Sequence, residues 1–178
     1  VPITNIKTQS GTNVNPGSFT NVADLDFSAD GQYVYASTKG GTLFYSEDVG
    51  QNWVIIPTSN SASAPSGSTI FLPNFTQTRG RLEIATAVSD PAVAYLSFAN
   101  AQGGGFHGYK TSDHGHTWVK IGEAGSTFSP FGDNNQGWYD NVIAVNPFNA
   151  DQVFLGGTQL YTYSSGSGWK LATIYFGE

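Results

Sequence analysis

Apolar residues recur in short runs in which Val, Ile, Leu, Tyr and Phe alternate with small or polar side chains, and no segment sustains a helical period. The runs fall into three groups of four. The first group comprises Val22 to Phe27, Tyr33 to Ser37, Leu43 to Tyr45 and Trp53 to Ile56. The second comprises Leu82 to Val88, Val93 to Phe98, Phe106 to Tyr109 and Trp118 to Ile121. The third comprises Asp140 to Val145, Gln152 to Leu155, Leu160 to Tyr163 and Trp169 to Tyr175. Turn residues separate the first two runs of each group: Ala29-Asp30-Gly31, Asp90-Pro91 and Asn146-Pro147. This pattern predicts a four-stranded antiparallel meander, made three times.

A second regularity marks the turn between the third and fourth runs. Ser46-x-Asp48-x-Gly50-x-Asn52-Trp53 and Thr111-x-Asp113-x-Gly115-x-Thr117-Trp118 follow one pattern, and an eroded copy places Thr162, Ser164, Gly166 and Gly168 before Trp169. Asp accepts hydrogen bonds from turn amides, Gly takes positive φ, a hydroxyl closes the loop, and Trp wedges into the next strand. The three Trp residues are 65 and 51 positions apart. A four-stranded unit repeated at that interval predicts β-propeller blades, an all-β fold. The expected organisation is a lead-in over 1–21, a first blade over 22–56, a long loop over 57–81, a second blade over 82–121, a loop over 122–139 and a third blade over 140–175. The links are rich in Ser, Gly, Pro and Asn and read as long loops over one face of the disc, where recognition concentrates.

The repeated sequence resembles the Asp box, or BNR repeat, of sialidases, xyloglucan-type glycoside hydrolases and sortilin-like receptors. That resemblance, carried by Asp48, Gly50, Trp53, Asp113, Gly115, Thr117 and Trp118, implies that the boxes form blade-edge hairpins with a folding role, away from any active site. It also implies a secreted or cell-surface protein. Sialidases of the family grip a carboxylate with three arginines, and this chain has only Arg79 and Arg81, so a self-contained sialidase is excluded. Three blades fall short of the four to eight that close a ring, which leads us to expect an arc of a larger propeller, its remaining blades lying in the same or another chain.

Composition narrows the choice further. The 178 residues carry seven Lys+Arg against thirteen Asp+Glu, a net charge of −6, and the basic residues are scattered; nucleic acid binding needs a clustered basic surface. No apolar stretch approaches the length of a membrane span. The absence of Cys removes disulfides, thiol catalysis and thiolate metal sites. Asn74-Phe75-Thr76 is a glycosylation sequon.

Three places could carry chemistry. Asp24 and Asp26 alternate with apolar residues on the first strand, on one face and about 7 Å apart. Their counterparts are read as Ala85 and Ala87, then Val142 and Ala144, so two acids replace small apolar residues where a channel would be lined. They are either a carboxylate pair or cation site, or polar groups satisfied by neighbouring backbone. The segment Phe131 to Asn141 holds the only Trp outside the repeated turns, Trp138, followed by Tyr139 and flanked by Asn134, Asn135, Gln136 and Asp140. Aromatic faces beside amides and carboxylates suit a sugar ring. Asp133, Asn135 and Gly137 also have part of the spacing of a calcium loop without its bidentate Glu; no other cofactor is expected. Finally, His114 and His116 occupy variable positions of the second box and are expected to be loop side chains rather than metal ligands. The leading expectation is a module that binds a glycan or an extracellular protein without self-contained catalysis. The alternatives are part of a glycoside hydrolase, with Asp24, Asp26 and Asp140 as candidate acids, or a structural subunit of an extracellular assembly.

Overall fold

A computed structural model of the chain describes residues 5–15, 21–125, 128–132 and 135–172. Among these residues the strands form three antiparallel meanders. The first contains β3 (Val22–Phe27), β4 (Val34–Thr38), β5 (Leu43–Ser46) and β6 (Trp53–Ile56). Its outer edge is extended by β1 (Ile6–Lys7), parallel to β6, and β2 (Asn13–Val14), antiparallel to β1. Strands of two residues carry no alternation, so the sequence pattern shows only a lead-in there. The second meander is β7 (Arg79–Thr86), β8 (Ala94–Asn100), β9 (Phe106–Thr111) and β10 (Val119–Glu123). The third is β11 (Val142–Asn146), β12 (Asn149–Gly156), β13 (Leu160–Ser164) and β14 (Gly168–Leu171). The inner strands lie side by side, β3 against β7 and β7 against β11. No helix among the described residues is long and apolar enough to cross a membrane.

The sheets stack through apolar layers. Tyr35, Leu43, Tyr45 and Ile56 of the first meet Leu82, Ile84, Leu96, Phe98, Tyr109 and Trp118 of the second. Ala85, Tyr95 and Phe106 then meet Ile143, Val153, Leu155 and Tyr161 of the third. Every residue of β4 is buried, because Val34 and Ala36 fill a further cluster with Ile6, Phe44 and Trp53 on the opposite face from Tyr35. Burying a large aromatic or aliphatic side chain contributes about 1.5–3 kcal/mol, so these layers supply most of the cohesion between sheets.

Polar groups also tie the sheets to one another. Asp24 Oδ2 accepts the Ile84 N–H (2.8 Å), and Asp26 Oδ2 accepts the Thr86 N–H (2.8 Å) and hydroxyl (2.9 Å). Their other oxygens accept the Leu25 and Phe27 amides. The two carboxylates therefore staple β3 to the backbone of β7. The registers pair Asp24 with Ser37 and Asp26 with Tyr35, and Glu83 with Ser97 and Ala85 with Tyr95. The counterparts in the second sheet are thus Glu83 and Ala85, not Ala85 and Ala87. The expected alignment slipped by one alternation because β7 ends at Thr86, two residues before the Val88 at which the expected run stops. Ser37 Oγ donates to the Leu82 carbonyl (2.6 Å), and Ser97 exchanges two hydrogen bonds with the buried Asn141.

The first two repeated turns match almost atom for atom. Ser46 Oγ donates to Asp48 Oδ1 and accepts the Gly50 N–H; Thr111 Oγ1 does the same with Asp113 and Gly115. Asp48 Oδ1 accepts the Asn52 N–H and Asp113 Oδ1 the Thr117 N–H, each at 2.8 Å. The left-handed residues at the tips are Val49-Gly50 and His114-Gly115. Burial works to raise both carboxyl pKa values, but the donated hydrogen bonds outweigh it and hold both below the ordinary carboxylate value. Trp53 Nε1 donates to the Gly50 carbonyl at 2.9 Å, whereas Trp118 is buried against Tyr35.

The third copy is not such a turn. Tyr163 pairs with Trp169 and Ser164 with Gly168, a shorter hairpin than those in which Tyr45 pairs with Val54 and Lys110 with Val119. Thr162 and Ser164 lie within β13, and Gly166 sits at the tip without an Asp to cap it. The missing carboxylate comes from elsewhere: Asp151 on β12 accepts the Ser165 amide at 3.0 Å. Trp169 Nε1 reaches back to the Ile121 carbonyl of the preceding sheet.

Candidate functional site

The link from β10 to β11 ends in a short 3-10 turn, Gln136–Trp138. Asn135 precedes it in the left-handed region, φ 54°, and the Gly137 N–H donates to the Gly103 carbonyl at 2.9 Å. Gly103 has φ +86°, and a Cβ there would fall 2.2 Å from the Asn135 carbonyl, so only glycine allows the β8–β9 turn to approach so closely. Phe131, fully buried, underlies Gly137 and packs against Phe106. The turn is thus pinned from below and from one side.

What it presents outward is aromatic. Trp138 is 61% exposed and Tyr139 48%, their rings edge to face with centroids 4.5 Å apart. Arg81 Nη1 donates to the Trp138 carbonyl at 3.3 Å, while Arg81 Nε pairs with Glu83. Burial raises the Glu83 carboxyl pKa, and the Arg81 hydrogen bond and charge only partly oppose it. The Asp140 N–H donates to the Gln136 carbonyl, and its carboxylate has no protein partner. Trp138, Tyr139, Asn135, Gln136 and Asp140 are therefore brought together on the surface as their adjacency suggests. Asn134 and Asp133 lie outside the described residues, and with Asp133 goes half of the expected calcium spacing. No group of three or more His, Asp or Glu converges among the described residues in a way that could hold a metal.

The other candidates have structural partners. Asp24 and Asp26 spend their oxygens on backbone amides, as described. His114 stacks on Tyr33 with centroids 4.3 Å apart. His116 places Nε2 3.0 Å from Glu47 Oε1 and Nδ1 2.6 Å from the Asp113 carbonyl. The second Asp-x-Gly turn docks on the first sheet through these imidazoles, which do not point at a common centre. Sequence reading missed Arg81 and Glu83, whose signal is a charged pair at the start of an inner strand. It also missed His107, which is buried on β9 against Phe75 and 3.3 Å from Glu123.

No protein-family profile matches the sequence, and no curated protein matches it. Solved structures do match. The chain superposes on a GH74 enzyme of Niastella koreensis with a TM-score of 0.59 at 19% identity, covering 90% of this chain and 22% of that one. A GH74 xyloglucanase of Xanthomonas campestris gives 0.53 at 19% identity over 86% and 22%. YCF48 bound to D1 peptide gives 0.57 at 14% identity over 85% and 39%, and YCF48 of Cyanidioschyzon merolae gives 0.56 at 13% over 85% and 39%. At such identities the likeness establishes the fold alone. The chain is a partial β-propeller of three successive four-stranded blades, and it spans about two fifths of the YCF48 chain and about a fifth of the GH74 chains.

Proposed function

We propose that this propeller segment is a glycan-binding module of a secreted or cell-surface protein, and that its binding face is the Trp138–Tyr139 turn. The observation that carries the reading is the pair of half-exposed rings on a turn whose backbone is locked by Gly103, Phe131 and Arg81. A rigid aromatic surface loses little entropy on binding and offers the apolar faces that sugar C–H groups prefer. Gln136, Asn135 and the unpartnered Asp140 carboxylate supply donors and acceptors for hydroxyls at its border. Glycan-array binding by the wild-type chain, lost in Trp138→Ala and weakened about tenfold in Tyr139→Ala, is the expected result. Array binding unchanged in both variants, or absent from the wild type, overturns it.

One observation favours a second reading, part of a glycoside hydrolase. Glu83, with its raised pKa, is one guanidinium away from the Trp138 carbonyl, and Asp140 is close in sequence. Hydrolysis requires two carboxyl groups flanking the scissile bond. Release of reducing sugar that is lost in Asp140→Asn and in Glu83→Gln would favour this reading; turnover unaffected by both would dismiss it. A third reading is protein binding, which the likeness to YCF48 bound to D1 peptide supports.

A further inference from the structure

Between the first two blades, on the side of the β6–β7 link, lies a cavity of about 700 Å³ lined by Gly40, Thr58, Ser59, Asn60, Pro65, Phe75, Gln77, Thr78 and Arg79. Its chemistry stands apart from the rest of the molecule. In a chain with nearly twice as many acids as bases, no Asp or Glu among the described residues lines it. Arg79 is exposed and its guanidinium makes no hydrogen bond or ion pair, whereas Arg81, Lys110 and Lys120 are each neutralised by a carboxylate. Lys39, next to the lining Gly40, has no ion-pair partner either. Around this charge stand the hydroxyls of Thr58, Ser59 and Thr78 and the amide of Asn60, with Gln77 and the largely buried Phe75 completing the lining.

We infer that this cavity is a binding subsite for the carboxylate of an acidic sugar, a uronate. The guanidinium fork matches a carboxylate in two parallel hydrogen bonds. The surrounding hydroxyls and the Asn60 amide match a polyol, and Phe75 provides the apolar contact a ring needs. A site with one cation and no competing acid discriminates by charge, because a neutral sugar leaves the guanidinium unanswered. The volume falls within the range of small-molecule sites. None of the Trp138 face residues lines it, so the inference does not depend on the glycan-binding reading above.

The test is calorimetric titration of the full chain with D-glucuronate, D-glucose and inorganic phosphate, repeated on Arg79→Ala, Arg79→Lys and Trp138→Ala. Glucuronate is expected to bind at least tenfold more tightly than glucose or phosphate. Arg79→Ala should weaken it at least tenfold, Arg79→Lys by less, and Trp138→Ala not at all. The Arg79 side chain makes no polar contact, so the melting temperature of Arg79→Ala should match the wild type and separate lost binding from lost folding. Absence of glucuronate binding, or unchanged affinity in Arg79→Ala, overturns the subsite. Equal affinity for phosphate and glucuronate overturns its assignment to a sugar acid.

Discussion

Replacing Asp26 by Ala removes the stronger of the two staples between the first and second blades. Asp26 Oδ2 accepts two hydrogen bonds from Thr86, at 2.8 and 2.9 Å, and Oδ1 accepts one from the Phe27 amide. Hydrogen bonds to a charged group are each worth about 1.5–3 kcal/mol. Asp26 and Thr86 are only half-buried, so water can replace part of what is lost. The Thr86 hydroxyl also keeps its bond to the Phe27 carbonyl at 2.7 Å. The net cost is therefore about 2 kcal/mol, which for a chain of this size lowers the melting temperature by roughly 4–8 °C. Asp26→Asn retains one acceptor oxygen and should lose about half as much; Thr86→Val should lose about 1 kcal/mol. Thermal and urea unfolding followed by circular dichroism read these differences, alongside array binding. A shift below about 1 °C in Asp26→Ala, accompanied by loss of binding or turnover, would refute the staple and restore a channel-lining carboxylate.

Other expectations concern the turns and the buried imidazole. Asp113→Ala, which strips the acceptor from the Thr111 hydroxyl and from the amide and hydroxyl of Thr117, should cost about 1–2 kcal/mol in urea unfolding, and Asp113→Asn less. Gly103→Ala should weaken glycan binding by displacing the Gln136–Trp138 turn, with the far-ultraviolet spectrum unchanged; binding equal to wild type would show that the turn does not need this approach. Burial, assisted by the Lys120 ammonium and opposed by the Glu123 carboxylate, holds the His107 pKa down at about 4. The unfolded chain takes up that proton near pH 6.5 while the folded chain does not, so stability falls as pH drops from about 6.5 to 4. A urea midpoint that declines less steeply over that window in His107→Phe is the expected sign, and identical slopes would contradict it.

The repeats were legible because a blade imposes alternation and turn chemistry that survive as residue patterns. Asp30, Asp90 and Asn146 each accept an amide two residues on, as Asx turns do, in the places where the pattern predicts turns. The short strands β1 and β2 were not legible, since their place is set by the β6 edge rather than by their own sequence. Nor was the fate of Asp24 and Asp26: alternation locates two carboxylates on one face, but only the neighbouring blade decides whether amides are waiting there. The long link after β6 illustrates the same limit. Its composition reads as loop, yet Leu72 and Phe75 are buried in the layer between blades, and Tyr109 donates to the Pro73 carbonyl. The third repeated turn looks eroded in sequence because its carboxylate, Asp151, sits on another strand.

The acids themselves decide how the readings rank. Asp24, Asp26, Asp30, Asp48, Asp90 and Asp113 cap backbone amides, and Glu47, Glu83, Glu123 and Asp151 face cationic or imidazole partners. Among the described acids only Asp140 has no partner, and it follows directly on the two exposed aromatic rings. An unsatisfied carboxylate at the border of an aromatic surface is an acceptor positioned for a ligand's hydroxyl groups. For hydrolysis it would need a second free carboxyl, and the other acid linked to this turn, Glu83, is already paired with Arg81, whose other contact holds the Trp138 carbonyl. Freeing Glu83 for proton transfer would therefore release the clamp under the platform. Binding requires no such exchange. Arg81→Lys separates the two: it should reduce glycan affinity if Arg81 serves as the clamp, and should raise turnover relative to binding if Glu83 is an acid held in reserve.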